Sequence, residues 1–314
     1  MISRVFWILI VGGSMVTCLI ASYTGSSRMH IYLQSLHCLN QINEEMNDAN
    51  LEKSEKKIDL SMRCLLVACM IVNTSAYLYY IIIGLNEVHG IFVYKHVIQR
   101  ILQCSERLVL IVVTMQFAML ALRVIFTLKN INSQFSQVIE RFSNSTDVLE
   151  ASNIRQFSLP YISVCGIVRQ IVEKDENIIS VILFTFLVCL VWIVQTFCSE
   201  IYKYSLDDFF RNSIHITITL STYLIYLVLM IEPCHRVHEE MEGTHRLVCK
   251  LKQCPNLSVE VINELEAFEL LLKDNIPTYS PLGVFTLARL LFLKIVGALM
   301  TYGIFIVQLS DDFF

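Results

Sequence analysis

Residues 290–309 read LLFLKIVGALMTYGIFIVQL, twenty positions in which Lys294, Thr301 and Gln308 stand out from an otherwise aliphatic and aromatic run. At 1.5 Å of rise per residue such a run spans about 30 Å, the thickness of a bilayer's hydrocarbon core. The three polar residues recur at intervals of seven, and Gly297 falls between the first two. Spacings of three, four and seven put all four on one stripe of a helix. Lipid offers that stripe no hydrogen-bond partner, so it must face protein or water. It can be a helix–helix seam, in which Thr and Gln bond to a neighbour and Gly permits close approach. It can also be the wall of a water path. In the second reading Gln308 sits near the outer mouth and Asp311 and Asp312 follow at the exit. A symmetric assembly would then gather those carboxylates into a ring that concentrates cations.

The rest of the chain has the same character. Of 314 residues, 55% are hydrophobic and 17% charged, where soluble domains carry about one quarter charged residues. Apolar runs at Val5–Ser22, Cys64–Leu85, Leu108–Leu128, Ile178–Ser199, Ser213–Ile231 and Leu290–Leu309 each read as a membrane span. The fold class is therefore all-α, a polytopic helical membrane protein with six predicted spans. Long connections (23–63, 129–177, 232–289) alternate with short ones (86–107, 200–212), and most basic residues lie in the long ones. The positive-inside tendency places the long connections in the cytoplasm and both chain ends outside.

Those long connections are patterned. Ile131, Phe135, Val138 and Phe142 continue the third span at helical spacing, and Val237, Met241 and Leu247 extend the fifth. Leu257, Val261, Leu265, Phe268 and Leu272 mark a further amphipathic helix, with Ser258 placed to cap it and Glu260 in its first turn. Apolar stripes in water need partners, and these are expected to pack on one another as a bundle below the membrane. Pro277 and Pro281 then interrupt the helix before the last span. The expected organisation is membrane spans one to three in 1–128, anchor helices in 129–177, spans four and five in 178–231, anchor helices in 232–281, and the last span with its external end in 282–314.

Several function classes find no support. A net charge of −4 without any basic block leaves no electrostatic footprint for nucleic acid. Eleven cysteines at irregular spacing, among them Cys18, Cys69, Cys165 and Cys189 in or beside apolar runs, read as small buried hydrophobes and not as a disulfide framework. Cys234, His235, His238 and His245 form a metal-like cluster on paper. A helix end rich in Glu239, Glu240 and Glu242 is more often simply solvated, so no metal or cofactor is expected. No G-x-S-x-G, H-E-x-x-H or phosphate loop is present, so an enzyme is not expected. A G-protein-coupled receptor would need a different span count and a cytoplasmic C-terminus, and a secondary transporter would need paired repeats.

Thr301-Tyr302, five residues, then Gln308 resembles the TY-x5-QF signature of insect gustatory receptors, with Leu309 in place of the usual Phe. LGVFTLARLLFLKIVGALMTYGIFIVQL (282–309) resembles their last helix, and IEPCHRVHEEMEGTHRLVCKL (231–251) the helix leaving the membrane after their penultimate span. The resemblance implies a tastant-gated, non-selective cation channel in the plasma membrane. It implies a homo- or hetero-tetramer whose last helices line a pore, with long helices entering a cytoplasmic anchor bundle and the C-terminus outside. A non-conducting accessory subunit is the alternative within the family. The family has seven spans with the N-terminus inside, so the six read here imply that the first is missing. The last helix then becomes pore wall more readily than seam. Monovalent and divalent cations are the implied permeant partners, a sugar, bitter compound or similar small molecule the implied ligand, and membrane lipid the surroundings. A tastant pocket would draw on the outer halves of the earlier spans, which offer Trp7, Tyr77, Tyr80, Trp192, Gln195, Glu200 and His215.

Overall fold

The computed structural model describes residues 28–46, 91–144, 149–203, 206–255, 257–275 and 289–311, together with single positions near residue 20 and between 60 and 82. Among the described residues the regular structure is helical throughout. Helix α1 covers 28–46. It is followed by α2 (Ile91–Asn144), α3 (Ala151–Lys203), α4 (Leu206–Lys252), α5 (Val259–Asn275) and α6 (Arg289–Asp311). Three segments among the described residues are long and apolar enough to cross a membrane: Leu108–Phe142, Ile179–Thr196 and Arg289–Gln308. They fall on the third, fourth and last expected spans. The fifth, Ser213–Ile231, lies within α4. Val5–Ser22 falls almost wholly outside the described residues, and of Cys64–Leu85 only scattered helical positions are described. Pro277 and Pro281 also lie outside them.

Two connections differ from the sequence reading. Segment 86–107 is helical from Ile91 onward, and 200–212 is helical up to Lys203 and again from Leu206. Lys95, Arg100 and Arg107 lower the hydropathy of the first segment without opposing helix, since Lys and Arg are good helix formers. Hydropathy marks where lipid ends and not where a helix does. The apolar run in α2 likewise extends 35 residues, to Phe142, well beyond the predicted Leu128. Its later half is apolar because it packs into protein: Ile131, Phe135 and Ile139 are all buried.

Helices α3 and α4 pack on each other, and each also packs on α2, α5 and α6. Below the apolar spans, the stripes on α2, α4 and α5 meet the first half of α3 in one core. Phe135 lies 5.1 Å from Phe157 and 6.3 Å from Phe268, and Tyr161 lies 5.8 Å from Phe268 in an edge-on contact. Val237, Met241, Val248 and Leu251 of α4 and Val261, Leu265 and Leu272 of α5 close it. The Ser258 hydroxyl accepts a hydrogen bond from the Val261 amide at 3.3 Å, capping α5 where its first backbone donors lack helical partners. Polar ties fix the register. Thr244 donates to Asn132 Oδ1 at 2.6 Å, and Asn132 Nδ2 donates to the Glu240 carbonyl at 2.9 Å. Close approach there is helped by Gly243, where an added Cβ would sit 3.4 Å from Asn132 Nδ2.

A buried ion pair joins α1 to α3. Arg28 Nε donates to Asp175 Oδ1 at 2.7 Å and the Tyr32 hydroxyl donates to Asp175 Oδ2 at 2.6 Å. Both charged side chains are more than nine-tenths buried. Charges so placed are tolerable only when paired and hydrogen-bonded, and removing one partner of such a pair costs about 3–5 kcal/mol. Further along, Asn43 donates to the Thr127 hydroxyl and Gln134 to the Met46 carbonyl, so α1 runs alongside α2 to its end.

The aromatic core makes a stability prediction. Phe268→Ala is expected to cost about 3–5 kcal/mol, whereas Leu270→Ala, two residues away and exposed, is expected to stay within about 0.5 kcal/mol. Thermal unfolding of the two variants in detergent separates these outcomes.

Candidate functional site

Helix α6 presents two unlike faces. One packs on α3 and α4, the only helices it touches among the described residues. Ile295 is buried on that face, and Phe292, Leu299, Tyr302 and Ile306 are partly buried there. Gly303 is the contact point with α3: a Cβ there would lie 3.4 Å from Val194 Cγ1. The other face is exposed and contains the whole polar stripe, Lys294, Gly297, Thr301 and Gln308. Helical geometry sets that stripe along the middle of the exposed arc, flanked by Leu293, Met300 and Ile304 on one side and Phe305 on the other. These flanking side chains are 65%, 68%, 58% and 57% exposed.

A seam within the chain would show side chains of the stripe bonded to a neighbouring helix. Thr301 donates to the Gly297 carbonyl of its own helix at 3.0 Å and, among the described residues, bridges to no neighbouring helix. A Cβ added at Gly297 would meet nothing within 4 Å among the described residues. A glycine kept for a close intramolecular approach would look like Gly303 and not like Gly297. Among the described residues, the stripe is turned away from the helices that pack on α6.

The lower end of α6 is clamped to α4. Arg289 donates to both oxygens of Glu232, from Nε at 2.9 Å and Nη2 at 2.7 Å, and Arg236 donates to the same carboxylate at 2.8 Å. Arg289 also approaches Glu239 at 3.7 Å. The hydrogen bonds from Arg289, reinforced by Arg236, hold the Glu232 carboxyl down at about 2. A planar guanidinium bridging both oxygens fixes orientation as well as distance, and that sets where the stripe points. Sequence reading missed this clamp, because its partners lie 57 positions apart.

The other singled-out residues are less fully described. Asp311 ends α6, but its side chain lies outside the described residues, as does the whole of Asp312. Of the pocket candidates, Trp7, Tyr77 and Tyr80 lie outside the described residues, and Glu200 and His215 lie on α3 and α4 with side chains outside them. Trp192 and Gln195 are half-buried on α3. The Gln195 Oε1 is buried and has no partner among the described residues, an unusual state for an amide acceptor.

The paper cluster of Cys234, His235, His238 and His245 does not assemble. Cys234 turns into the core and donates to the Met230 carbonyl at 3.2 Å. His235 and His238 lie 3.3 Å from Glu239 and Glu242, respectively, each on its own turn of α4. Four-residue spacing aligns side chains along a helix, but burial here separates Cys234 from the histidines.

The model of the 7tm chemosensory receptor family matches residues 2–312. No curated protein matches the chain in sequence. Among solved structures, the insect olfactory receptor OR5 from Machilis hrabei has a similar fold, with a TM-score of 0.70 at 11% identity over 98% of this chain and 82% of that one.

The two faces of α6 predict opposite responses to bulk. Gly303→Leu is expected to drive a side chain into Val194 and lower the thermal stability of the protomer by about 1–3 kcal/mol. Gly297→Leu is expected to leave it within about 0.5 kcal/mol. Equal destabilisation by both would contradict the assignment of faces.

Proposed function

The chain belongs to the 7tm chemosensory receptor family, and from that premise we propose that it is a gustatory receptor subunit, a tastant-gated, non-selective cation channel that acts with three further subunits. The exposed polar stripe of α6 carries this reading. Lipid cannot satisfy Lys294, Thr301 and Gln308, and among the described residues no other helix of the chain covers them. Four copies of α6 around an axis would place each stripe toward a shared water path. The flanking apolar side chains, Leu293, Met300, Ile304 and Phe305, would then lie against neighbouring copies. Each subunit would supply one Gln308 amide near the outer mouth, followed by Asp311 and Asp312. The gustatory assignment rests on Thr301, Tyr302 and Gln308, whose spacing resembles that receptor signature.

In this reading the plasma membrane holds the apolar spans, the C-terminus is extracellular, and the bundle around Phe135, Tyr161 and Phe268 is the cytoplasmic anchor. The tastant would occupy the outer half of the spans near Trp192 and Gln195. The Gln195 side-chain oxygen, without a partner among the described residues, is an acceptor that a hydroxylated ligand could engage. The Glu232–Arg289 clamp would set the lower end of the pore helix.

Two measurements test the conduction path. Gln308→Cys is expected to make tastant-evoked current sensitive to an extracellular charged thiol reagent, while current from the parent channel stays unaffected. A functional variant indifferent to the reagent would contradict a pore position. Asp311→Asn with Asp312→Asn is expected to lower single-channel conductance at low ionic strength and to matter little at high salt, because the Debye length falls from about 30 Å at 0.01 M to about 3 Å at 1 M.

A further inference from the structure

Where α4 leaves the membrane-proximal core, it carries His245 and Cys249 four residues apart on one side. The Cys249 sulfur lies 3.8 Å from His245 Nδ1 and 3.9 Å from Nε2. Glu269 faces them from α5, across the turn that joins the two helices. One ligand atom from each of the three residues falls within 4.8 Å of the others. All three residues are half-buried, so ions can reach them while neighbouring helices hold the side chains in place.

We propose that His245, Cys249 and Glu269 form a binding site for a borderline transition-metal ion, foremost Zn²⁺, that fastens α5 to α4. The donor set fits that chemistry. An imidazole nitrogen, a thiolate and a carboxylate oxygen are the ligand types Zn²⁺ takes, at about 2.0–2.3 Å, with water completing a tetrahedron. Such bond lengths put neighbouring ligand atoms roughly 3.5 Å apart. Rotation of the side chains about their own bonds closes the difference without moving a helix. On binding, Cys249 loses its thiol proton to solvent, and neutral His245 gives the lone pair of one ring nitrogen. No electron transfer is involved.

Two lysines set the affinity. Lys273 donates to Glu269 Oε1 at 2.7 Å and Lys252 to Oε2 at 3.2 Å. Hydrogen bonds from Lys273 and then Lys252 hold the Glu269 carboxyl down at about 2, so it is anionic at any physiological pH. An ionised carboxylate has about four lone-pair positions, so one oxygen can accept a metal while the other keeps a lysine. Both ammonium groups nonetheless repel the arriving cation. The site is thus poised for an ion held moderately and exchangeably, between two helices of which the second leads toward α6.

The test uses the full-length protein in detergent, stripped with a chelator and titrated with Co²⁺ as the spectroscopic probe. The expected result is a sulfur-to-cobalt charge-transfer band saturating at one ion per chain and displaced by Zn²⁺. Cys249→Ser is expected to abolish the band, and Glu269→Gln to weaken Co²⁺ binding at least about tenfold, since even partners outside the metal's direct ligands are worth that much. Lys273→Met is expected to tighten binding severalfold, an effect that a purely structural Lys273–Glu269 pair would not produce. Absence of the band overturns the site, and so does its survival in Cys249→Ser, which would place cobalt on another of the eleven cysteines. Unchanged or weaker binding by Lys273→Met overturns it as well. Should Cys249→Ser fail to fold, His245→Gln decides: full affinity there overturns the proposal.

Discussion

A bilayer's interior satisfies no hydrogen bonds, and that constraint organises this chain more than any single contact. It forces the apolar spans to be helices, since only a helix pairs its own backbone groups. It also makes the polar stripe on α6 informative. Lys294, Thr301 and Gln308 lie on a helix otherwise fit for lipid, and the protomer buries the opposite face. Thr301 finds its acceptor at the Gly297 carbonyl, within its own helix. In the proposed channel, water in a shared path would satisfy the remaining groups, which lipid cannot do.

The orientation of that stripe is inherited from below. Gly303 seats α6 against Val194 of α3, and the paired hydrogen bonds from Arg289 hold its lower end to Glu232 of α4. In turn α3 and α4 are fixed by the aromatic core around Phe135, Phe157, Tyr161 and Phe268 and by the Asn132–Thr244 tie. A change at the junction of α4 and α5, such as the proposed metal binding by His245, Cys249 and Glu269, would therefore act on the same frame that aims α6. In the proposed channel, that is a physical route by which an ion in the bundle would bias a pore about which it makes no direct contact.

What the sequence disclosed follows from which physical signals are local. Periodicity exposed the stripes on α2, α4 and α5, because burial of Phe135, Val237, Val261 and Phe268 repeats with the helix turn. The Ser258 cap was readable because capping is settled within three residues. Helix length was not. Lys95 and Arg100 lower hydropathy but favour helix, and α2 runs through them. Pro160 and Pro233 lie inside α3 and α4 even though proline disfavours a helix interior, because tertiary packing outweighs a local preference. At the site, the spacing of Thr301 and Gln308 was visible, but which way they pointed was not. Cys234 and His238 share a helix face on paper, but Cys234 turns into the core, while Glu269 joins His245 only through the pairing of two helices.

The central claim is that the exposed arc of α6 meets copies of itself. Disulfide crosslinking across that arc tests it most directly, with Ile304→Cys compared against Ile295→Cys on the buried face of the same helix, each in intact membranes under mild oxidation. The account predicts a covalent dimer of chains for Ile304→Cys and none above the parent protein's background for Ile295→Cys. A dimer from Ile295→Cys with none from Ile304→Cys would contradict it, because the arc carrying Lys294, Thr301 and Gln308 would then face something other than a second copy of α6.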